Sequence, residues 1–250
     1  MKYIVIIPAR YESSRFPGKP LAKIGGEEMI VRVCRQVEKA GVEAAVATDD
    51  ERILECVEKA GFRAVMTSPS HRSGTERVEE AYRLLGSDAD VVINVQGDEP
   101  FIRPEQIEKL VAIFEKNNDA RLATLAMHFD ATKGFDALFD PNLVKIVFSN
   151  EMDAMYFSRS IIPYVRKTDW KNWLKETDFY THIGIYGYKA KTLSEIVRLP
   201  ESTLEKAESL EQLRWLQNGY GIKVGLTEFS TIGIDTEADL RAAEEILANG

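Results

Sequence analysis

The run Lys2-Tyr3-Ile4-Val5-Ile6-Ile7 sets four β-branched aliphatic residues in succession. Such a run keeps no polar face for water, which is the pattern of a strand covered on both sides in a parallel sheet. A polar loop follows from Ala9 to Pro20. Beyond it Met29, Ile30, Val33, Cys34 and Val37 recur at helical spacing until Gly41 supplies a stop. Further out, the pattern predicts a strand over 42–47, a helix over 50–60 ending at Gly61, and a strand over 63–66. A helix over 74–85, a strand over 91–95 and a helix over 104–116 with Pro104 in its first turn come next. Strand, crossover helix and parallel strand repeat, which is the signature of a doubly wound, mostly parallel α/β sheet.

The second half is less regular. Strands are expected over 122–129, 144–149 and 181–188, and one helix over 204–218. Residues 167–179, with Trp170 and Trp173 set among charges, fit neither pattern and read as an arm or a lid. Exposed aromatic residues of this kind mark an interface, so a homodimer joined through the second half is expected. No linker or repeat divides the chain. We therefore read residues 1–250 as a single α/β domain with an arm or lid subregion over about 150–190.

A formal net charge of -8 argues against nonspecific attraction to nucleic acid and leaves small metabolites as partners. No apolar stretch reaches membrane-spanning length, and the first one is cut short by Pro8 and Arg10. The expectation is a cytoplasmic protein without membrane insertion. Cys34 and Cys56 each fall inside a helical pattern with no other soft ligands at zinc-site spacing, and read as free thiols.

Chemistry concentrates in the loop after the first strand, Ile7 to Leu21, IPARYESSRFPGKPL. Arg10, Arg15 and Lys19 gather where an open α/β sheet binds its ligand, and guanidinium forks with a mobile ammonium suit phosphate oxygens. A solvated basic loop is the competing reading. The stretch lacks both GxxxxGK[ST] and GxGxxG, so neither a P-loop hydrolase nor a nicotinamide enzyme is favoured. Gln96-Gly97-Asp98-Glu99-Pro100 leaves a buried strand at the same sheet edge. Its carboxylates suit either a hard cation or an ordinary turn. Asp235 precedes a helix start, where a carboxylate favours the helix dipole and Thr236 with Asp239 can form a cap. The turn at His71-Arg72-Ser73-Gly74 can face the same crevice, with Ser73 also placed to cap a helix.

Across these segments, and through HIGIYGY at 182–188, LEQLRWLQNG at 210–219 and IDTEADL at 234–240, the chain resembles the Kdo (3-deoxy-manno-octulosonate) cytidylyltransferases. CMP-sialic acid synthetases carry a related first loop, but one that is glycine-rich where this chain has Tyr11-Glu12-Ser13-Ser14. The resemblance implies transfer of a cytidylyl group from CTP to Kdo, giving CMP-Kdo and pyrophosphate for lipopolysaccharide synthesis. It implies Mg²⁺ held by Asp98 and Asp235, with a second ion carried by the triphosphate and Glu99 behind the first. Asp98, Asp235, Lys19 and Arg10 are the implied catalytic set. Ala9, Arg10, Arg15, Lys19, Arg72, Ser73 and Gln96 are the implied nucleotide contacts. His182, Tyr186, Glu211 and Gln212 match positions lining the sugar pocket, and Arg159 is expected to pair with the sugar carboxylate. The competing functions are transfer to another acceptor, such as sialic acid or a sugar 1-phosphate, and a nucleotide-binding regulator without turnover.

Overall fold

In a computed structural model that describes residues 1–12, 16–231 and 233–249, Ile4, Val5, Ile6 and Ile7 are all fully buried. They divide between two cores because side chains alternate across a strand. β1 (Tyr3–Ala9) sends Val5, Ile7 and Ala9 into a cluster with Ile30, Val33 and Val37, and Ile4 and Ile6 into another with Val78, Leu193 and Trp215. The unbroken apolar run is thus the consequence of helices on both faces.

After β1 come a small hairpin of β2 (Lys23–Ile24) and β3 (Glu27–Glu28), then α1 (Met29–Glu38), β4 (Glu43–Thr48), α2 (Glu51–Lys59), β5 (Ala64–Met66) and α3 (Gly74–Leu84). β6 (Val91–Asn94), α4 (Pro104–Lys116), β7 (Leu122–His128), β8 (Lys145–Phe148), β9 (Ala154–Ser158) and α5 (Trp173–Glu176) follow. The chain ends with β10 (Tyr180–Lys189), α6 (Ala190–Ile196), α7 (Thr203–Glu208), α8 (Gln212–Gln217), β11 (Ile222–Leu226) and α9 (Glu237–Asn249). Local chemistry sets the starts: the Asp50 side chain accepts from the Arg52 amide before α2, and Ser73 accepts from the Glu76 amide before α3.

The main sheet runs in the order β11-β7-β10-β6-β1-β4-β5, with β8 attached to β10 and β9 to β8. β1 pairs in parallel with both β4 and β6, while β10 is antiparallel to β6 and β7. The chain winds outward from β1 to β4 and β5, then crosses back to lay β6 on the other side of β1. That reversal opens a crevice beyond the carboxyl ends of β1 and β6, where open α/β sheets bind ligands. This is the α/β arrangement expected from the sequence.

The second half departs from expectation in several places. The helix expected over 204–218 is two, α7 and α8, because Ser209 takes a left-handed backbone, φ 51°, and turns the chain. β9 and β11 were not anticipated. Trp173 is buried rather than exposed: it packs with Phe129, Phe135, Leu138 and Phe179 in a satellite core, and of the two tryptophans Trp170 is the open one. That satellite core ends at Phe179, and β10 belongs to the main sheet.

Candidate active site

The crevice beyond β1 and β6 is a cavity of about 270 Å³ lined from four directions. β1 and its loop contribute Pro8, Ala9, Arg10, Lys19 and Pro20; the start of α3 contributes His71, Arg72, Ser73, Gly74 and Arg77; the turn after β6 contributes Gln96, Gly97 and Asp98; and Asp235 arrives from near the carboxyl terminus. Gly97 is required by the crowding here, since a Cβ on it would lie 2.8 Å from the Pro8 carbonyl oxygen.

Asp98 and Asp235 lie 137 positions apart in sequence, yet the backbone itself brings them together: the Ile234 amide donates to the Asp98 carbonyl oxygen at 3.0 Å. Ile234 is anchored by a small core with Ile24, Met29 and Ala243, which docks α9 against the first hairpin. Lys19 Nζ then bridges the two side chains, 2.6 Å from Asp98 Oδ2 and 3.0 Å from Asp235 Oδ1. The helix start is tied off separately, by Asp239 Oδ2 accepting from the Thr236 amide and hydroxyl. One cation already sits within reach of both carboxylates, and their hard oxygen donors suit Mg²⁺, which takes one or two carboxylates and fills its other positions with water and substrate phosphate. Among the described residues no group of three or more His, Cys, Asp and Glu side chains gathers as a metal cage.

Glu99 turns away from the cavity into the protein. Burial, reinforced by the charge of Asp98, pushes its carboxyl up to about 8, and its Oε2 has no hydrogen-bond partner among the described residues. Gln96 Nε2 donates to Asn94 Oδ1 at 3.3 Å, which leaves its carbonyl oxygen beside Gly74 at the mouth of the cavity. Arg72 is well exposed and reaches Glu76 and Glu201 only loosely, at 3.6 and 3.8 Å. Arg15 lies outside the described residues.

Ser73 connects this cavity to the second half. Its hydroxyl donates to Glu211 Oε1 at 2.9 Å while Thr75 donates to Oε2 at 2.5 Å. Burial raises the Glu211 carboxyl above its ordinary range even so. Gln212 is buried beside it at the start of α8. On β10, the Tyr186 ring lies 5.3 Å from His182 and 5.1 Å from Trp215. Tyr186 Oη and Trp215 Nε1 are both buried without a partner among the described residues. His182 is packed against Phe157 and bonded to Thr124 Oγ1 at 2.9 Å, and burial lowers its pKa to about 3. Arg159 stands apart. Its guanidinium donates to the carbonyl oxygens of Glu208, Pro141 and Ser209 at 2.6, 2.8 and 3.2 Å, so it latches the arm to α7.

One charged cavity residue, Arg77, escaped the sequence reading, and His71 entered it only as part of the turn before α3. Arg77 is almost fully buried, with Nη2 2.6 Å from Asp49 Oδ2 and Nη1 2.7 Å from Thr67 Oγ1. His71 places Nε2 2.6 Å from Glu80 Oε2. The available signal was the spacing of His71, Ser73 and Arg77 around one helix start at the crevice edge.

A cytidylyltransferase family model matches residues 4–226. A 3-deoxy-manno-octulosonate cytidylyltransferase of Parabacteroides distasonis is 54% identical over 250 residues, covering 100% of this chain and 99% of that protein. The chain belongs to the 3-deoxy-manno-octulosonate cytidylyltransferase family. Family membership makes it a nucleotidyltransferase. An 8-amino-3,8-dideoxy-manno-octulosonate cytidylyltransferase of Shewanella sediminis is 45% identical, covering 99% of each chain. The solved structure of a CMP:2-keto-3-deoxy-manno-octonic acid synthetase complexed with CTP superposes with a TM-score of 0.90 at 40% identity, covering 100% of this chain and 99% of that one. No helix among the described residues is long and apolar enough to cross a membrane.

Proposed function

We propose that this cytidylyltransferase couples CTP to Kdo at the cavity beyond β1 and β6, making CMP-Kdo and pyrophosphate and so activating the sugar for lipopolysaccharide synthesis. The observation that carries the reading is the convergence of Asp98, Asp235 and Lys19 at one point of that cavity. The anomeric 2-hydroxyl of Kdo attacks the α-phosphorus of CTP and releases its proton to solvent, a P–O bond forms, and the bond from the α-phosphorus to the bridging oxygen breaks as pyrophosphate departs in line. Arg10 and Lys19, with Arg15 in the same loop, hold the triphosphate and offset negative charge as it shifts to the leaving group. Arg72, Ser73 and Gln96 face the cytosine. Asp98 and Asp235 would hold Mg²⁺, with a second ion carried by the triphosphate, and an ion held there would supply Lewis acidity to lower the pKa of the sugar hydroxyl. No protein nucleophile is needed.

Glu211, Gln212, Tyr186 and His182 form the sugar side. Its support is the pair of buried donors on Tyr186 and Trp215 that have no partner among the described residues, together with the Glu211 carboxylate that joins this region to the nucleotide cavity. Arg159 approaches the sugar carboxylate only by giving up its carbonyl partners. The exposed Phe139, Met155, Tyr164 and Trp170 of the second half supply an apolar surface for a homodimer.

The test is product identity. Incubation with CTP, Mg²⁺ and a panel of Kdo, 8-amino-Kdo, sialic acid and a sugar 1-phosphate should give CMP-Kdo with stoichiometric pyrophosphate. Preferential turnover of any other acceptor, or no pyrophosphate at all, overturns the reading.

A further inference from the structure

Among the described residues, the two cations that face the cavity from the first loop, Arg10 and Lys19, sit just outside a closed neck. The Gly18 amide donates to the Tyr11 carbonyl oxygen at 2.9 Å, and Gly18 holds a left-handed φ of 72°. Arg10 precedes Tyr11 and Lys19 follows Gly18, so this bond sets the two cations side by side on the cavity. Three further contacts hold the neck. The Arg52 guanidinium lies 3.4 Å over the centroid of the Tyr11 ring. Gly18 also lies close to the ring: a Cβ there would fall 3.1 Å from Tyr11 Oη and 3.2 Å from the ring carbons. The Tyr11 amide points to Asp49 Oδ1 at 3.4 Å, and Asp49 Oδ2 is in turn fixed by the buried guanidinium of Arg77. Arg52 is itself immobilised by a two-pronged bond to Asp50, whose side chain caps α2.

We propose that Tyr11 is a positioning residue for the triphosphate: packed against Arg52 and Gly18 and tethered through Asp49 to Arg77, it fixes the spacing of Arg10 and Lys19 before the nucleotide arrives. Tyr11 does not touch substrate. Its contribution is preorganisation, which spares the bound complex the ordering of a basic loop. The inference rests on the reading of Arg10 and Lys19 as triphosphate contacts.

The experiment compares Tyr11→Ala, Tyr11→Phe and Gly18→Ala in the full chain. It measures the Kd of inorganic triphosphate and of cytidine by calorimetry, the KM for CTP, kcat and the thermal midpoint. Tyr11→Ala should weaken triphosphate binding and raise the KM for CTP by roughly tenfold, with cytidine binding unchanged. Tyr11→Phe, which keeps the stacked ring, should restore both. Gly18→Ala, which forces a methyl group against the ring, should repeat the loss, and it stands in if Tyr11→Ala fails to fold. A Tyr11→Ala protein with a lowered thermal midpoint but unchanged triphosphate affinity and KM overturns the proposal. Arg10→Ala and Lys19→Ala separate the two levels: if they weaken triphosphate binding while Tyr11→Ala and Gly18→Ala do not, the neck alone falls. If none of the four matters, the assignment of the phosphate site falls with it.

Discussion

Along the β1 and β6 edge, polar side chains stand on loops and on the first turns of α3 and are held by opposite charges: Lys19 between Asp98 and Asp235, Arg77 on Asp49. Along β10 and the facing α8 they stand inside an aromatic shell, where His182 is held neutral and Tyr186 Oη and Trp215 Nε1 have no partner among the described residues. The difference suits the two substrates proposed for these sides. A triphosphate arrives with its own charge and can replace one ionic partner by another at little net cost, so a wall of exchangeable ion pairs is ready for it. A sugar offers hydroxyls, and a buried donor left unmatched in the free protein gains a full hydrogen bond when one arrives.

The sharpest way to break this comparison is to neutralise the charged side. Asp98→Asn and Asp235→Asn each preserve shape, and each should lower turnover roughly 100-fold or more while CTP binding through Arg10 and Lys19 survives. The double variant should be little worse than the worse single one, because the two carboxylates serve one unit. Turnover across a Mg²⁺ titration, with CTP binding measured separately, decides it. Near-normal turnover in either single variant at limiting Mg²⁺ would falsify the shared site and leave Asp235 as a residue that merely precedes a helix.

The aromatic side should respond in the opposite sense. Tyr186→Phe removes a buried hydroxyl that has no partner among the described residues, and leaving such a group unpaired costs about 1 to 3 kcal/mol. The variant should therefore be as stable as the parent or more so, while its KM for the sugar acid rises roughly tenfold. Thermal melting and acceptor kinetics on the same preparation check both halves. A variant that loses stability and keeps its KM would give Tyr186 a structural role and erase the contrast.

These two sides also differ in how much of them the sequence discloses. The β1 side was legible because each strand buried on both faces is a short continuous apolar run closed by Gly, Pro or Asp, and its functional residues fall at the ends of those runs. The β10 side hides its elements. In β11, Lys223 and Gly225 interrupt the apolar pattern; Gly225 is there because a Cβ would lie 2.9 Å from Leu125 Cδ2. In β9 Met155 faces solvent, so a strand looked like an irregular segment. α7 and α8 read as one helix since Ser209 carries no glycine-like warning of its left-handed backbone. Trp173 read as surface because its partners Phe129, Phe135 and Phe179 are spread over a segment with no period of its own. Of the site residues, Arg77 was missed because a buried guanidinium on a helix looks in sequence like a solvated one.

The last and smallest effect appears only in acid. His182 Nε2 lies 2.9 Å from Thr124 Oγ1, and that hydroxyl donates to the Ile185 carbonyl oxygen at 2.8 Å. The hydroxyl proton is thus committed, so the imidazole donates from Nε2–H. Around the ring stand Phe157, Tyr186 and the β7 strand, and burial alone accounts for the fall of its pKa from 6.5 to about 3. In the unfolded chain the same imidazole takes up a proton below 6.5. Between those values the unfolded state binds more protons, so stability must decline as pH falls, by at most about 1.4 kcal/mol per pH unit from this group. At neutral pH the contribution is complete and nothing is lost. His182→Asn should consequently flatten the dependence of the urea midpoint on pH between 6.5 and 4 without altering its shape above 7. An unchanged slope in the variant would mean that His182 can protonate in place, and that the β10 side accommodates charge as readily as the loops opposite it.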